Sequence, residues 1–281
     1  GDKCVTKRRL NQGLNDRAGG ARGPAAISSL HRHHRVDSPW FMRFAPHAPG
    51  AKRVICLPHA GCGASAFRNL TAGFFSDFEM LIIQYPGRET RLGDPCVCDL
   101  HLMVEHIVDA ITPFLDQPYI LFGHSMGGKI AYELKLKLKA LNLPMLENLV
   151  VSCSSARHSQ TKISATYKGS DAEFVEYLRK LGGVPDEVLA VDDLMALVLP
   201  IVRSDFELLD SYRPTLNVEP LACPVTAIFS PEDVTVQSAD TALWKDVAGS
   251  SFHHYSVSGG HFYFPLQSET LASVLDAGSA R

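Results

Sequence analysis

Short apolar runs recur along this chain, and between them lie longer stretches with apolar residues at every third or fourth position. The first kind has strand length; the second is the signature of an amphipathic helix. Apolar runs at 53–57, 80–85, 119–122, 148–153, 224–229 and 252–257 predict strands, after a short first strand at 40–44. Several are apolar almost throughout, as suits strands covered by helices on both faces. Leu100, Met103, Val104, Ile107, Val108, Ile111 and Phe114 mark a helix over 99–115. The Lys-Leu alternation at 135–139 looks strand-like by itself, but it sits inside a helical stretch, where the lysines form a solvated face. With helices at about 238–247 and at the end of the chain, this alternation predicts an α/β fold: a mostly parallel central sheet with helices on both faces.

The rhythm stops between about 154 and 214. A helix over 172–181, capped by Asp171 and ended by Gly182-Gly183, is followed by a helical stretch over 192–212. Pro200 inside the second demands a kink or a break. This segment is expected to be a helical lid inserted into the sheet order. Residues 1–38 are rich in Arg, Lys, Gly and Asn and lack the apolar core of a signal peptide, so a disordered tail is expected. His31-Arg32-His33-His34 within it reads as a solvated basic stretch. Residues 39–281 then form a single domain.

A net charge of −3 speaks against a nucleic-acid binder. No apolar run is long enough to span a membrane. The seven cysteines are scattered without a C-x-x-C pair, which predicts a reducing, cytoplasmic setting and no disulfide framework.

Candidate chemistry concentrates where the strand at 119–122 ends. Gly123-His124-Ser125-Met126-Gly127 follows it and opens a helix, the strand–turn–helix context of a nucleophile elbow. A Cβ at Gly123 or Gly127 would collide with neighbouring backbone in so tight a turn. The plain alternative is a Gly/Ser turn into an ordinary helix. Ser125 as nucleophile needs a base and an acid. The loop after 224–229 offers Glu232 and Asp233, of which Asp233 fits the spacing better; the loop after 252–257 offers His261. His253 and His254 lie mid-strand, His124 is too close in sequence to turn back onto Ser125, and His59 is expected to shape its own loop. That loop contains Gly61-x-Gly63-x-x-Ala66 after a strand, the form of a dinucleotide fingerprint. The acidic residue that should follow at the end of the next strand is absent, so a nucleotide-binding protein stays an alternative of another class.

The segments LPHAGCGASAF, QYPGRETRL, PYILFGHSMGG, LGGVPDEVL, LPIVRSDFELLDSYRP and SGGHFYF, in that order, resemble the type II thioesterases of polyketide and nonribosomal peptide synthesis. The medium-chain acyl-carrier-protein hydrolases of fatty-acid synthesis share the pattern. The resemblance runs from about Trp40 to the last helix. It implies an α/β-hydrolase fold with a helical lid, and hydrolysis of acyl thioesters on carrier proteins by Ser125, Asp233 and His261. The amides of Met126 and Ala60 would form the oxyanion hole. No metal or redox cofactor is implied, and the partner would be an acylated carrier protein delivering its phosphopantetheine arm to a monomer. A generic carboxylesterase on the same scaffold is the nearer alternative.

Overall fold

The computed structural model describes residues 4–5, 38–72, 77–143, 146–156, 165–264 and 267–277. The strands are β1 (Cys4–Val5), β2 (Phe41–Met42), β3 (Lys52–Leu57), β4 (Phe78–Ile83), β5 (Cys96–Val97), β6 (Tyr119–His124), β7 (Leu146–Ser152), β8 (Val225–Phe229) and β9 (Phe252–Ser256). The helices are α1 (Arg68–Ala72), α2 (Leu100–Ile111), α3 (Met126–Ala140), α4 (Asp171–Leu181), α5 (Asp186–Leu189), α6 (Asp192–Ser211), α7 (Ser238–Ala242) and α8 (Ser268–Ala277).

Seven strands make one sheet in the order β2-β4-β3-β6-β7-β8-β9, parallel except for the edge strand β2. Successive residues of each apolar run face opposite sides. Ile55, Leu57, Leu121 and Val151 join the core that includes Met103, Ile107, Ile130 and Leu134 from α2 and α3. Val54, Cys56, Phe122 and Val150 join a second core with Phe67 and with Leu271 and Leu275 of α8. Both faces are buried, which is why these strands show no polar alternation.

The insertion between β7 and β8 holds α4, α5 and α6, and they bury Phe174, Leu178, Leu189, Met195, Leu199 and Phe206 in a cluster of their own. Ser170, rather than Asp171, caps α4: its hydroxyl accepts from the Glu173 amide, and the Glu173 carboxylate accepts from the Ser170 amide. That leaves Asp171 in the first turn, where the helix dipole favours it. Gly182 ends α4 in the left-handed conformation, φ 72°. Pro200 does not break its helix, since α6 runs through it from Asp192 to Ser211. Burial of Met195, Leu199, Val202 and Phe206 outweighs the one lost amide donor.

Three other expectations shift. The helix predicted over 99–115 ends at Ile111, with a tighter turn over Thr112–Phe114. The helix predicted over 238–247 divides into α7 and a tighter turn over Leu243–Val247, whose buried Trp244 donates Nε1–H to the Ser154 carbonyl, 2.7 Å. Cys98 is disulfide-bonded, against the expectation of no disulfide; such a bond depends on Cα spacing in the fold, which C-x-x-C spacing does not report. Cys56, Cys62, Cys96, Cys153 and Cys223 are free. The expected tail, with His31, His33 and His34, lies outside the described residues except for Ser38 and β1, which pairs in parallel with β5. Among the described residues, no helix is long and apolar enough to cross a membrane.

Candidate active site

Ser125 stands between β6 and α3 with φ 53° and ψ −115°, a conformation a side-chain-bearing residue holds only when its surroundings impose it. The surroundings are backbone. A Cβ on Gly123 would run into the Gly127 carbonyl, and one on Gly127 into the Leu57 carbonyl at the end of β3. The Ser125 amide donates to the Ser152 carbonyl at 2.8 Å. Buried His124 places Nδ1 3.0 Å from Ser152 Oγ, which in turn lies 2.7 Å from Tyr263 Oη. The elbow is thus fastened to the end of β7 and to the segment that follows the base.

Asp233 and His261 come together from loops after β8 and β9, with His261 Nδ1 2.7 Å from Asp233 Oδ2. An ionised carboxylate only accepts, so Nδ1 carries the proton and Nε2 is left as the acceptor. Asp233 Oδ1 accepts from the amides of Thr235 and Val236 at 2.7 and 3.1 Å, and from Thr235 Oγ1 at 2.7 Å. Thr235 Oγ1 also lies 2.9 Å from His261 Nδ1. Burial alone would raise the Asp233 carboxyl, but the hydrogen bond and charge of His261 and the Thr235 donors outweigh it and hold the group at about 2. Glu232 is turned elsewhere: its exposed carboxylate accepts from Ser230 Oγ at 2.7 Å. The geometry thus puts Asp233, which the spacing favoured, and not Glu232 against His261.

Two more histidines crowd His261 without competing for protons. His59 and His124 have ring centroids 5.5 Å apart, and His124 lies 5.0 Å from His261. Burial, then the charge of His261, lowers His59 to about 3 and pushes His124 well below the ordinary range, so both stay neutral. His253 and His254 are exposed on β9, and His254 Nε2 meets Thr241 Oγ1 at 2.9 Å. Among the described residues, Cys153, Asp233 and His261 also bring ligand-type atoms within 4.8 Å of one another. Burial raises the Cys153 thiol far above its usual range.

The glycine loop is committed. Gly61 N–H donates to Asp205 Oδ2 (2.7 Å), Gly63 and Ser65 N–H to Glu89 (3.2 Å each) and Ala64 N–H to Gln84 Oε1 (2.9 Å), while Cys62 and Ala66 bond within the loop. A phosphate would need those amides and would meet Glu89 and Asp205, so the loop does not suit a dinucleotide. The Ala60 amide takes part in none of these bonds. Met126, first in α3, likewise has no partner within the helix for its amide. Both residues line the cavity onto which Ser125 and His261 open.

That cavity measures about 400 Å³. Its far wall comes from the insertion: Tyr177, Leu178 and Leu181 of α4, and Val202, Phe206 and Leu209 of α6. Asp205 on α6 reaches across to Arg88, with Oδ2 2.5 Å from one guanidinium nitrogen and Oδ1 2.9 Å from the other, both side chains buried. Just past the C-terminal end of α6, Tyr212 Oη and Thr215 Oγ1 donate to Glu133 of α3 at 2.7 and 2.6 Å. Sequence reading assigned no role to Gln84, Arg88, Glu89, Glu133 or Asp205. Their only trace was their presence in or beside segments quoted for the family resemblance.

The parallel sheet and the strained serine turn at its carboxyl edge, between a glycine loop and a histidine loop, define an α/β-hydrolase. Residues 52–278 match the thioesterase domain family. The thioesterase PikA5 of Streptomyces venezuelae is 34% identical over 232 residues, covering 81% of this chain and 81% of that protein. The gramicidin S biosynthesis protein GrsT of Aneurinibacillus migulanus is 32% identical over 224 residues, covering 80% and 87%. The solved structure of the type II thioesterase BorB from the borrelidin biosynthetic cluster superposes with a TM-score of 0.79 at 28% identity, covering 88% of this chain and 100% of that one. The chain belongs to the thioesterase family and is a hydrolase of thioesters.

Proposed function

We propose that this protein releases acyl groups from the phosphopantetheine arm of carrier proteins in a polyketide or nonribosomal peptide assembly line, through an acyl-enzyme on Ser125. The observation that carries this reading is the 2.7 Å contact between His261 Nδ1 and Asp233, beside a cavity that His261 and Ser125 both line. The likeness to PikA5, GrsT and BorB supports the pathway class.

In this mechanism His261 Nε2 takes the Ser125 proton as Oγ attacks the thioester carbonyl, and Asp233 steadies the imidazolium. The Ala60 and Met126 amides receive the oxyanion, each worth about 3 kcal/mol by the cost of removing one such donor. The leaving thiol, with a pKa of about 8.5, departs easily, so hydrolysis of the serine ester is the harder half. Water activated by His261 completes it. The insertion acts as a lid: it roofs the acyl pocket and leaves the carrier outside.

The test compares kcat/KM for an acyl-carrier protein with that for the same acyl group on a short thiol, at low and high salt. A higher value for the carrier, falling with salt, is expected from electrostatic docking. Equal values at both salts would favour a generic esterase.

A further inference from the structure

Lys129 is unusual for where it stands. It lies one helical turn beyond Ser125 on α3 and lines the same cavity. Side chains on a helix lean toward its N-terminus, so this one leans back toward the elbow. It is buried, and its Nζ donates to the carbonyl and to Oγ of Ser155, at 3.0 and 3.1 Å. Ser155 lines the cavity as well. An ammonium has three donors, so these two bonds leave one; the Tyr212 ring, its centroid 5.9 Å from Nζ, adds only a weak cation–π contact. Among the described lining residues Lys129 is the only Lys, Arg, Asp or Glu, in a wall otherwise built mainly from Leu, Val, Phe, Tyr and small residues.

A chain that needed Lys129 only to pin Ser155 would bury a charge for a task that a neutral donor performs. Desolvating an ammonium costs several kcal/mol unless it is paired. Burial lowers Lys129 to about 8, and the charge of Asp240, which is not among the lining residues, acts against that. The group therefore stays largely protonated at neutral pH, facing a low-dielectric cavity in which an anion would be strongly held.

We propose that Lys129 is a specificity-determining residue that receives an oxygen anion on the acyl chain, so that the enzyme favours acyl groups bearing a terminal carboxylate over aliphatic groups of the same shape. This rests on the acyl-enzyme reading above and names the class of acyl group that its pocket takes. No covalent step is added: the carboxylate is bound while Ser125 attacks the thioester at the other end.

The experiment uses half-thioesters of dicarboxylic acids, malonyl through adipoyl, on N-acetylcysteamine. Each is paired with a branched aliphatic acyl group of equal shape, 3-methylbutanoyl being the partner of malonyl. Wild type, Lys129→Met and Lys129→Arg are compared through the ratio of kcat/KM within each pair. Hydrogen bonds to a charged partner predict a loss of about 30-fold in that ratio for Lys129→Met at the best chain length, carried mainly by KM, and retention of the preference by Lys129→Arg. A wild-type ratio at or below one for every pair would overturn the inference, whatever the variants do. So would a Lys129→Met enzyme with the wild-type ratio but a lower Tm, since that outcome marks a purely structural tie to Ser155. Should Lys129→Met not fold, competitive inhibition of wild type by the free diacid against the matching branched acid decides: equal inhibition overturns the proposal. Failure to cleave either series, both on N-acetylcysteamine and on an acyl-carrier protein, would bring down the acyl-enzyme reading with it, whereas cleavage without preference removes only the role of Lys129.

Discussion

The elbow and the helical insertion face each other across one cavity, and different forces hold them. At the elbow, position is set by backbone against backbone: Gly123 and Gly127 pass so close to their neighbours that no side chain fits, and Ser125 is held at φ 53° by the strand and helix it joins. Among its described residues the insertion has no strand to fix it. Its helices bury an apolar cluster among themselves, and the insertion meets the core through Leu208, buried in it, and through polar ties that include Asp205 to Arg88 and Gly61 and, just past the end of α6, Tyr212 and Thr215 to Glu133. Among the residues lining the cavity, Ser125 and His261 come from sheet-borne loops, whereas the apolar roof comes from α4 and α6. The proposed reacting groups thus sit on the part with least freedom. The apolar wall proposed to meet the acyl chain sits on side-chain packing, which tolerates change far better.

The largest contrast should come from cutting the chemistry without touching the scaffold. Ser125→Ala should lower turnover by ~10⁴-fold or more while thermal unfolding stays near wild type, because triad members act as a unit. Asp233→Asn, which favours the wrong imidazole tautomer, should approach the same loss of up to ~10⁴. Glu232→Gln should leave activity within a few-fold, and steady-state kinetics on one thioester would rank all three. A more damaging Glu232 change would move the acid to that residue.

A smaller effect should follow from cutting the tie between the two regions. Asp205→Asn leaves the Arg88 guanidinium buried with a weakened partner and slackens the hold on Gly61, beside Ala60. Removing one member of a buried pair costs ~3–5 kcal/mol, which corresponds to a fall in Tm of roughly 10 °C in a domain of this size. Glu176→Gln, which cuts the exposed Arg179–Glu176 pair on α4, should change stability by less than about 1 kcal/mol. Urea or thermal melts of the two variants distinguish an anchored insertion from one held by surface charge.

The smallest effect concerns acid. Asp233 is held at about 2 in the fold against an ordinary value of 3.8. Its carboxylate therefore contributes stability that is fully present above about pH 4 and is lost as pH falls toward 2. Melts of wild type and Asp233→Asn between pH 5 and 2 should converge at the acid end. A constant gap across that range would mean that the carboxylate does not titrate as the geometry implies.

The physical reasons for what was legible are local. Apolar runs of strand length, the glycines around Ser125, and the acid and histidine loops after late strands each depend on residues close together in the chain. They determined the α/β order, the elbow, and Asp233 and His261 as candidates before any coordinate was known. Spacing favoured Asp233 over Glu232 without showing where either side chain points, because neighbours in a loop differ in direction only once the chain is folded. It left a kink or a break open at Pro200; the helix is not broken there, because burial of a whole helix face outweighs the lost hydrogen bond. It placed the cap of α4 one residue late, and it counted the cysteines as free because a disulfide joins positions by their distance in space. The rest belongs to tertiary structure alone. Arg88 and Asp205 are 117 positions apart, and Glu133 and Tyr212 are 79 apart. Nothing in a single sequence couples residues at such separations, since the low-dielectric pocket that gives a buried pair or a lone Lys129 its meaning exists only once the chain has closed around it.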